Sequence, residues 1–439
     1  MTLPVTKPNI IYLHSHDTGR YIQPYGHAVP TPNLQRLAEE GVLFRQAFTS
    51  LPTCSPSRAC LLTGEYPHSN GMIGLAHRGF ALNDYSSHLL HTLRPHGYFC
   101  ALSGMQHIAT GRDAWKTIGY DVLLGETAEA EIKAAEFLRE KHDRPFFLDV
   151  GFFETHREFP EATARQDSRY CLPPAPLPDT PETRSDMAKF KRSAEILDVK
   201  IGSVLQALKD AGLADNTLVI CTTDHGIAFP RMKCSLEDSG IGVMLIMRGP
   251  NGFSGGKVID AMVGQIDLFP TLCDYLSIAA PARLQGISFM PLIRGESDRV
   301  RNDLLLEINY HAAFEPMRGL RTERFKYIRR YDHRDSPVLP NCDAGPSKSC
   351  WLENGWKNIA PVEEALYDLI FDPNERNNLA ASPSFQPVLG EMRVRLEKRM
   401  QETNDFLPAS GIPLPPAALL NPRAGLDPAQ EEILPPGTR

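Results

Sequence analysis

Thr217-Leu-Val-Ile-Cys-Thr-Thr-Asp-His-Gly226 is the stretch on which the fold assignment turns. Thr217–Thr222 is a short β-branched and apolar run, the right length for one buried strand. It stops on an acidic side chain, an imidazole and a glycine. Upstream, from about Asp186 to Ala211, Ile196, Leu197, Ile201, Leu205 and Leu208 share one stripe that closes at Gly212, the pattern of a helix lying on a sheet. Downstream, Gly242–Met247 repeats the strand pattern and Asp267–Leu276 the helical one. Nearer the start, Ile10–Leu13 and Phe146–Val150 are further strands. Thr31-Pro-Asn-Leu34 opens a helix that ends at Gly41, with proline at its start and glycine at its end. Strands alternating with helices predict an α/β fold over residues 1–300, a mostly parallel central sheet sandwiched by helices.

The pattern changes after residue 300. Leu304–Asn309, Met317–Arg321 and Phe325–Arg330 are short strands and Phe385–Thr403 is a closing helix, which predicts a smaller C-terminal α+β subdomain over residues 301–407. Residues 408–439 hold eight prolines, a density that propagates neither helix nor sheet. An extended tail is expected there, either free or laid around a second copy of the chain in a homo-oligomer.

The chain has 439 residues, with 46 Lys and Arg against 53 Asp and Glu, a net charge of −7. A mildly acidic balance lacks the basic field that nucleic-acid binding needs. Apolar residues make up 42%, too many for disorder, and no run approaches the length of a membrane span. Met1 to Lys7 has no leader-like organisation, so a cytoplasmic location is expected. Nine cysteines, scattered and odd in number, suit reduced thiols rather than a disulfide framework. Cys342 and Cys350 are a candidate pair, but their spacing does not favour a bond.

The most specific local signal is Cys54-Ser-Pro-Ser-Arg58, continued by Ala-Cys-Leu-Leu-Thr63-Gly64. This motif resembles the signature of the type I sulfatases, in the alkaline phosphatase superfamily. The resemblance implies an alkaline phosphatase-like fold and a cysteine oxidised after synthesis to formylglycine, whose hydrate is the nucleophile. It also implies a formylglycine-generating enzyme as a partner during maturation. The chemistry is coherent, because a gem-diol offers a hard oxygen where a thiolate is soft. It also carries two hydroxyls on one carbon, one to attack and one to expel the ester.

Metal ligands are then expected at the carboxyl ends of parallel strands. Ser15-His16-Asp17 follows the first strand and Asp224-His225 the later one, and both are similar to the family's metal-binding segments. Asp17, Cys54, Asp224 and His225 are carried over as ligands. His16 stands where the family has a second Asp, and an imidazole there softens a site in which the resemblance implies Ca²⁺, moving it toward Mn²⁺ or Mg²⁺. Arg58, His107, His156 and Lys233 match the family's anion-handling and proton-transfer positions, alongside Cys54. The family's Lys-x-His pair is Met105-Gln-His107 here, so one cation near the nucleophile is missing.

Further segments extend the resemblance over residues 8–407, among them Phe44-Arg-Gln-Ala-Phe48, Gln265-Ile-Asp-Leu-Phe-Pro270 and Leu366-Tyr-Asp-Leu369. Pro67-His-Ser-Asn-Gly-Met72, Phe229-Pro-Arg-Met-Lys233 and Glu315-Pro-Met-Arg318 look most like the heparan N-sulfatase branch. They nominate His77, Arg78, His311 and Arg318 as substrate contacts. The implied activity is metal-dependent hydrolysis of a sulfate ester or sulfamate, from a sugar or aryl sulfate, through a covalent sulfo-formylglycine. Phosphonate monoester or phosphodiester hydrolysis with the same nucleophile is the alternative, since relatives with that activity share an Asp-His pair like Asp224-His225. A non-catalytic anion-binding relative is the reading from another class, motivated by His16 and Met105.

Overall fold

Ile10, Ile11, Tyr12 and Leu13 are all buried, which only a strand covered on both faces allows. The computed structural model describes residues 7–407, 411–422 and 424–429. In chain order its strands are β1 (Asn9–Ser15), β2 (Val42–Phe44), β3 (Ala47–Phe48), β4 (Phe99–Gly104), β5 (Val122–Gly125), β6 (Phe146–Gly151), β7 (Thr217–Thr223), β8 (Leu245–Arg248), β9 (Lys257–Ile259), β10 (Val263–Gly264), β11 (Asp303–Tyr310), β12 (Phe314–Thr322), β13 (Phe325–Arg330) and β14 (Glu364–Asp368).

Eight strands form the main sheet in the order β5-β4-β6-β1-β7-β8-β2-β9. The five from β5 to β7 are mutually parallel, with Ile11 of β1 opposite Leu148 of β6 and Val219 of β7. Alternation does the sorting. Ile10 and Tyr12 join Phe147, Leu218 and Ile220 in one core, while Ile11 and Leu13 join Leu148, Val219 and Cys221 in the other. The second core is closed by the helix Pro181–Asp210 through Leu197, Ile201, Val204 and Leu208. The expected strand at Gly242–Met247 is β8, which starts later and runs antiparallel to both β7 and β2. The α/β class and mostly parallel sheet are as the sequence predicts. Helices α1 (Pro32–Glu40) and α2 (Cys54–Thr63) flank β2 and β3.

The second sheet, β11-β12-β13-β14, is wholly antiparallel. The helix Gln386–Glu402 presents Leu389, Met392, Leu396 and Met400 at three- and four-residue spacing to Leu304, Leu306 and Leu320 of that sheet. The described part of the proline-rich tail lies along its own chain. Ile412, Ala418 and Leu420 are buried in the first core, and the Leu419 amide donates to the Arg78 carbonyl at 3.0 Å. Residues 408–410, 423 and 430–439 fall outside the described residues.

The two units are pinned by a buried ionic cluster. Arg318 donates from Nε and Nη2 to Asp405, and its Nη1 bonds Asn309 at 2.9 Å. Glu307 accepts from His68 Nδ1 at 2.5 Å, and all four charged groups have side chains with no solvent exposure. The nominated role of Arg318 as a substrate contact is therefore corrected, because its guanidinium is spent inside the protein. Burial alone lowers the His68 pKa, but Glu307 and Asp405 overcome it and raise the group above its ordinary value. Stability from this pair is therefore complete below the unfolded imidazole pKa of about 6.5 and is lost as pH rises through the higher folded value. Arg318→Ala is expected to cost about 3–5 kcal/mol in denaturant unfolding, the scale for breaking a buried ion pair. His68→Gln should lose more stability in mildly acidic than in alkaline buffer, read from the same unfolding midpoints.

Candidate active site

Four neighbouring parallel strands, β4, β6, β1 and β7, deliver their carboxyl ends to one place. Met105 and His107 follow β4, Phe153 and His156 follow β6, His16 and Asp17 follow β1, and Asp224 and His225 follow β7. This is where a parallel sheet leaves backbone and side chains facing a common crevice. Close strand approach is needed, and Gly151 supplies it: a Cβ there would stand 1.9 Å from the Met105 carbonyl oxygen. Asp17 and His107 both adopt left-handed backbone, at φ 47° and 59°, an uncommon conformation for non-glycine residues in which Asp and His are among the more frequent.

Cys54 is the first residue of α2, so the N-terminal end of that helix, favourable to negative charge, points at the crevice. Ligating atoms of His16, Asp17, Cys54 and Asp224 all lie within 4.8 Å of one another, and all four residues are buried. His225 completes the group. Its Nδ1 faces the Gly226 carbonyl at 2.9 Å, so Nε2 is the bare nitrogen. That nitrogen stands 3.3 Å from Asp17 Oδ1 and 3.4 Å from Cys54 Sγ. Two of these buried atoms, His16 Nδ1 and Asp17 Oδ1, have no hydrogen-bond partner. Bare donors converging beside two carboxylates fit a divalent cation, because a buried unsatisfied polar atom is otherwise costly. Among the described residues, the expected ligands thus all meet.

Arg58 and Lys233 bracket the carboxylates. Arg58 Nη2 donates to Asp224 Oδ2 at 2.9 Å and to the Ser15 carbonyl at 2.8 Å. Lys233 Nζ donates to Asp17 Oδ2 at 3.0 Å and to Asp343 Oδ2 at 2.9 Å. Burial works against ionised Asp224, yet His225, Arg58 and His16 outweigh it and hold the carboxyl well below the usual range. Burial likewise opposes charged Lys233, and Asp17 with Asp343 reverses the effect, keeping the ammonium charged. His16 is neutral, since burial and the nearby Arg58 push its pKa well down. His107 is neutral for the same two reasons, with His77 adding to them. The Cys54 thiol is pushed well up, by burial first, so the unmodified side chain stays protonated.

His156 Nε2 stands 3.4 Å from Lys233 Nζ, and His77 Nδ1 is 3.1 Å from His107 Nε2 at the exposed rim. His311 is buried nearby, with Lys233, Asp343 and His225 as its electrostatic neighbours. Arg78 is buried and spends its guanidinium on the tail, donating to Asn421 Oδ1 and the Pro428 carbonyl, both at 2.8 Å, which replaces the nominated substrate contact. Beside Lys233 opens a cavity of 410 Å³ walled by Trp351, Trp356, Glu315 and Arg330.

Residues the sequence did not announce complete the site. Asp343 pairs with Lys233 from a loop of the C-terminal unit. Below Arg58, its Nη1 donates to His14 Nδ1, His14 Nε2 donates to Asp149 Oδ1 at 2.8 Å, and the Tyr120 hydroxyl donates to Asp149 Oδ2. This relay fixes the Arg58 fork on Asp224. Inward-facing residues of β1 and β6 alternate with apolar neighbours, and nothing in their spacing separates them from core.

Comparison with known proteins follows the same line. A strand-end crevice of carboxylates and imidazoles facing a helix N-terminus, on this sheet with an antiparallel C-terminal unit, defines the alkaline phosphatase-like sulfatase fold. Two solved structures share it: a 2-O GAG sulfatase (TM-score 0.71, 21% identity, 93% of this chain and 95% of that one) and a protein complexed with D-glucosamine-2-N,6-O-disulfate (TM-score 0.71, 19% identity, 93% and 100%). The Sulfatase family model matches residues 8–278, and the C-terminal model of N-sulphoglucosamine sulphohydrolase matches residues 231–359. The chain belongs to the sulfatase family and is a sulfuric ester hydrolase. It is 29% identical to the human N-sulphoglucosamine sulphohydrolase over 90% of each chain, and 27% identical to an ulvan-active sulfatase of Formosa agariphila over 91% of this chain and 76% of that one.

All nine cysteines are free and buried. In mildly alkaline buffer the native protein is expected to leave Ellman's reagent unreacted, with thiols titrating only after unfolding. Rapid native-state reaction of the Cys54 peptide would contradict the burial described here.

Proposed function

We propose that the chain hydrolyses a sulfate ester or sulfamate on a sugar, by a covalent route through residue 54 matured to formylglycine. The observation that carries this reading is the meeting of Cys54, at the start of α2, with His16, Asp17, Asp224 and His225. These five residues would hold a divalent cation. When bound, the cation polarises a sulfate oxygen and the aldehyde hydrate supplies an oxygen nucleophile that a protonated thiol does not.

The chain's own groups do the rest. Arg58 holds Asp224 ionised and adds positive charge beside the position where the sulfuryl group sits. Lys233, with His156 next to its ammonium, faces the sulfuryl oxygens and the leaving atom, where negative charge grows. Neutral His107, with Nδ1 buried and without a hydrogen-bond partner, is placed to take a proton near residue 54. The aromatic wall of the cavity beside Lys233 gives the leaving group an apolar surface of the kind a sugar ring stacks on. Free, buried thiols are consistent with a cytoplasmic location, which remains part of the proposal.

One observation favours a second reading: His225 Nε2 is 3.4 Å from Cys54 Sγ, an arrangement also suited to phosphonate monoesters or phosphodiesters. Parallel kinetics on aryl sulfate, sugar N- and O-sulfates and an aryl phosphonate ester decide between them. A large phosphonate preference ends the sulfate reading. Protein made alongside a formylglycine-generating enzyme should titrate one thiol fewer than nine in denaturant. Its residue-54 peptide should also lose the mass difference between –CH₂SH and –CHO. In that material Arg58→Ala should lower kcat about 10²–10³-fold, with the fold intact by circular dichroism. An unconverted, inactive protein with bound cation would instead support the non-catalytic relative.

A further inference from the structure

His77, His311 and Asp343 each have a sequence neighbour that is bonded to the tail or to the lysine that holds it. The Leu419 amide donates to the Arg78 carbonyl at 3.0 Å, and Arg78 Nη1 donates in turn to Asn421 Oδ1 at 2.8 Å. Beside His311, the Ala312 carbonyl accepts from the Asn421 amide at 2.8 Å. Lys348, buried on the helix Pro346–Glu353, donates to the tail at the Leu426 carbonyl, 2.6 Å away. It also donates to the Cys342 carbonyl at 2.5 Å, next to Asp343. Asn421 joins these contacts. It is 1% exposed, and its Nδ2 bonds the Asp427 carbonyl at 2.9 Å. Hydrogen bonds from Oδ1, Nδ2 and the backbone amide fix direction as well as proximity, which apolar contact alone does not.

None of the three framed groups is among the five proposed ligands. His77 Nδ1 meets His107 Nε2 at 3.1 Å on the exposed rim, Asp343 pairs with Lys233, and His311 has Lys233 and Asp343 as its first electrostatic neighbours. The sulfuryl group has to lie at residue 54, so the rest of a substrate extends past Lys233 toward these groups. We infer that the tail is the outer frame of the substrate site, and that Asn421 is a positioning residue that sets His77 and His311 for the leaving group of a sulfated sugar. This inference rests on the sulfuryl-transfer reading of the previous subsection and separates recognition of the sugar from transfer of the sulfuryl group. Two imidazoles and a carboxylate offer donors and acceptors that match sugar hydroxyls, whereas a small aryl ring has no use for them.

The test combines steady-state kinetics of the converted full chain with hydrogen–deuterium exchange on the same samples. The substrates are a sulfated disaccharide and a small aryl sulfate. Asn421→Ala should raise KM for the disaccharide about tenfold or more, the scale for losing a buried polar partner, with kcat little changed. The aryl sulfate should be hydrolysed as by the wild type. Amide exchange should quicken in the peptides carrying His77, His311 and Asp343 and hold steady in β1, β6 and β7. Asn421→Asp keeps the acceptor for Arg78, should fall between the two, and carries the comparison if the alanine variant does not fold. Ile412→Ala removes a buried apolar contact of the same tail without touching an anchor, so it should lower the unfolding midpoint and leave both KM values alone. An unchanged disaccharide KM in the Asn421 variants overturns the inference. An equal loss on both substrates, or the same KM rise in Ile412→Ala, marks a merely structural tail and overturns it as well. A wild type that hydrolyses no sulfated compound defeats the proposed function alone. Exchange that quickens in the three segments of Asn421→Ala would then still support the framing role, and unchanged exchange there would overturn it.

Discussion

Two carboxylates buried side by side, Asp17 and Asp224, impose the constraint around which the rest of the site is arranged. Like charges in a water-poor interior repel strongly and each carries a desolvation penalty, so positive charge must stand close to the pair. The chain meets this from two directions, with Arg58 from α2 and Lys233 from the loop after β7, while His16 and His225 stand beside the pair as candidate ligands. The same groups that neutralise the pair are those suited to a tetrahedral oxyanion, so the requirement for stability and the requirement for chemistry fall on one set of side chains.

Such an arrangement needs its cations held without slack. Arg58 is fixed from behind by the His14–Asp149–Tyr120 relay, and Lys233 from the side by Asp343. The relay lies across β1 and β6, whose parallel pairing sets its spacing. Asp343 belongs to the C-terminal unit, which thereby contributes a charge to a crevice built otherwise by the main sheet. The second unit is thus part of the electrostatics of the site, and the buried His68–Glu307 pair ties it to the main one.

Much of this was legible from residues alone. Short apolar runs of strand length marked β1, β6 and β7, and the acidic ends of β1 and β7 marked the ligands. The signature around Cys54 marked the nucleophile position. β4 and β5 were not marked, because Phe99-Cys-Ala-Leu-Ser-Gly104 and Val122-Leu-Leu-Gly125 carry little β-branched pattern; β4 becomes a strand through its pairing with β6, and β5 through its pairing with β4. Arg78 and Arg318 look like surface cations in sequence, and only tertiary partners reveal that one clasps the tail and the other a buried carboxylate. Asp343 had no local signal either, since a lone Asp in a loop gains meaning from the lysine it meets 110 residues away.

The clasp between Arg78 and the tail has a bearing on the order of events during synthesis. Contacts from Arg78 to Asn421 and Pro428 span 343 and 350 residues. Loops of that size close slowly and late. Ile412, Ala418 and Leu420 fill the same core that α2 packs against, so that core is completed only after residue 420 has been added. The helix that opens with Cys54 thus borders a core whose last buried side chains come from positions as distant as Leu420.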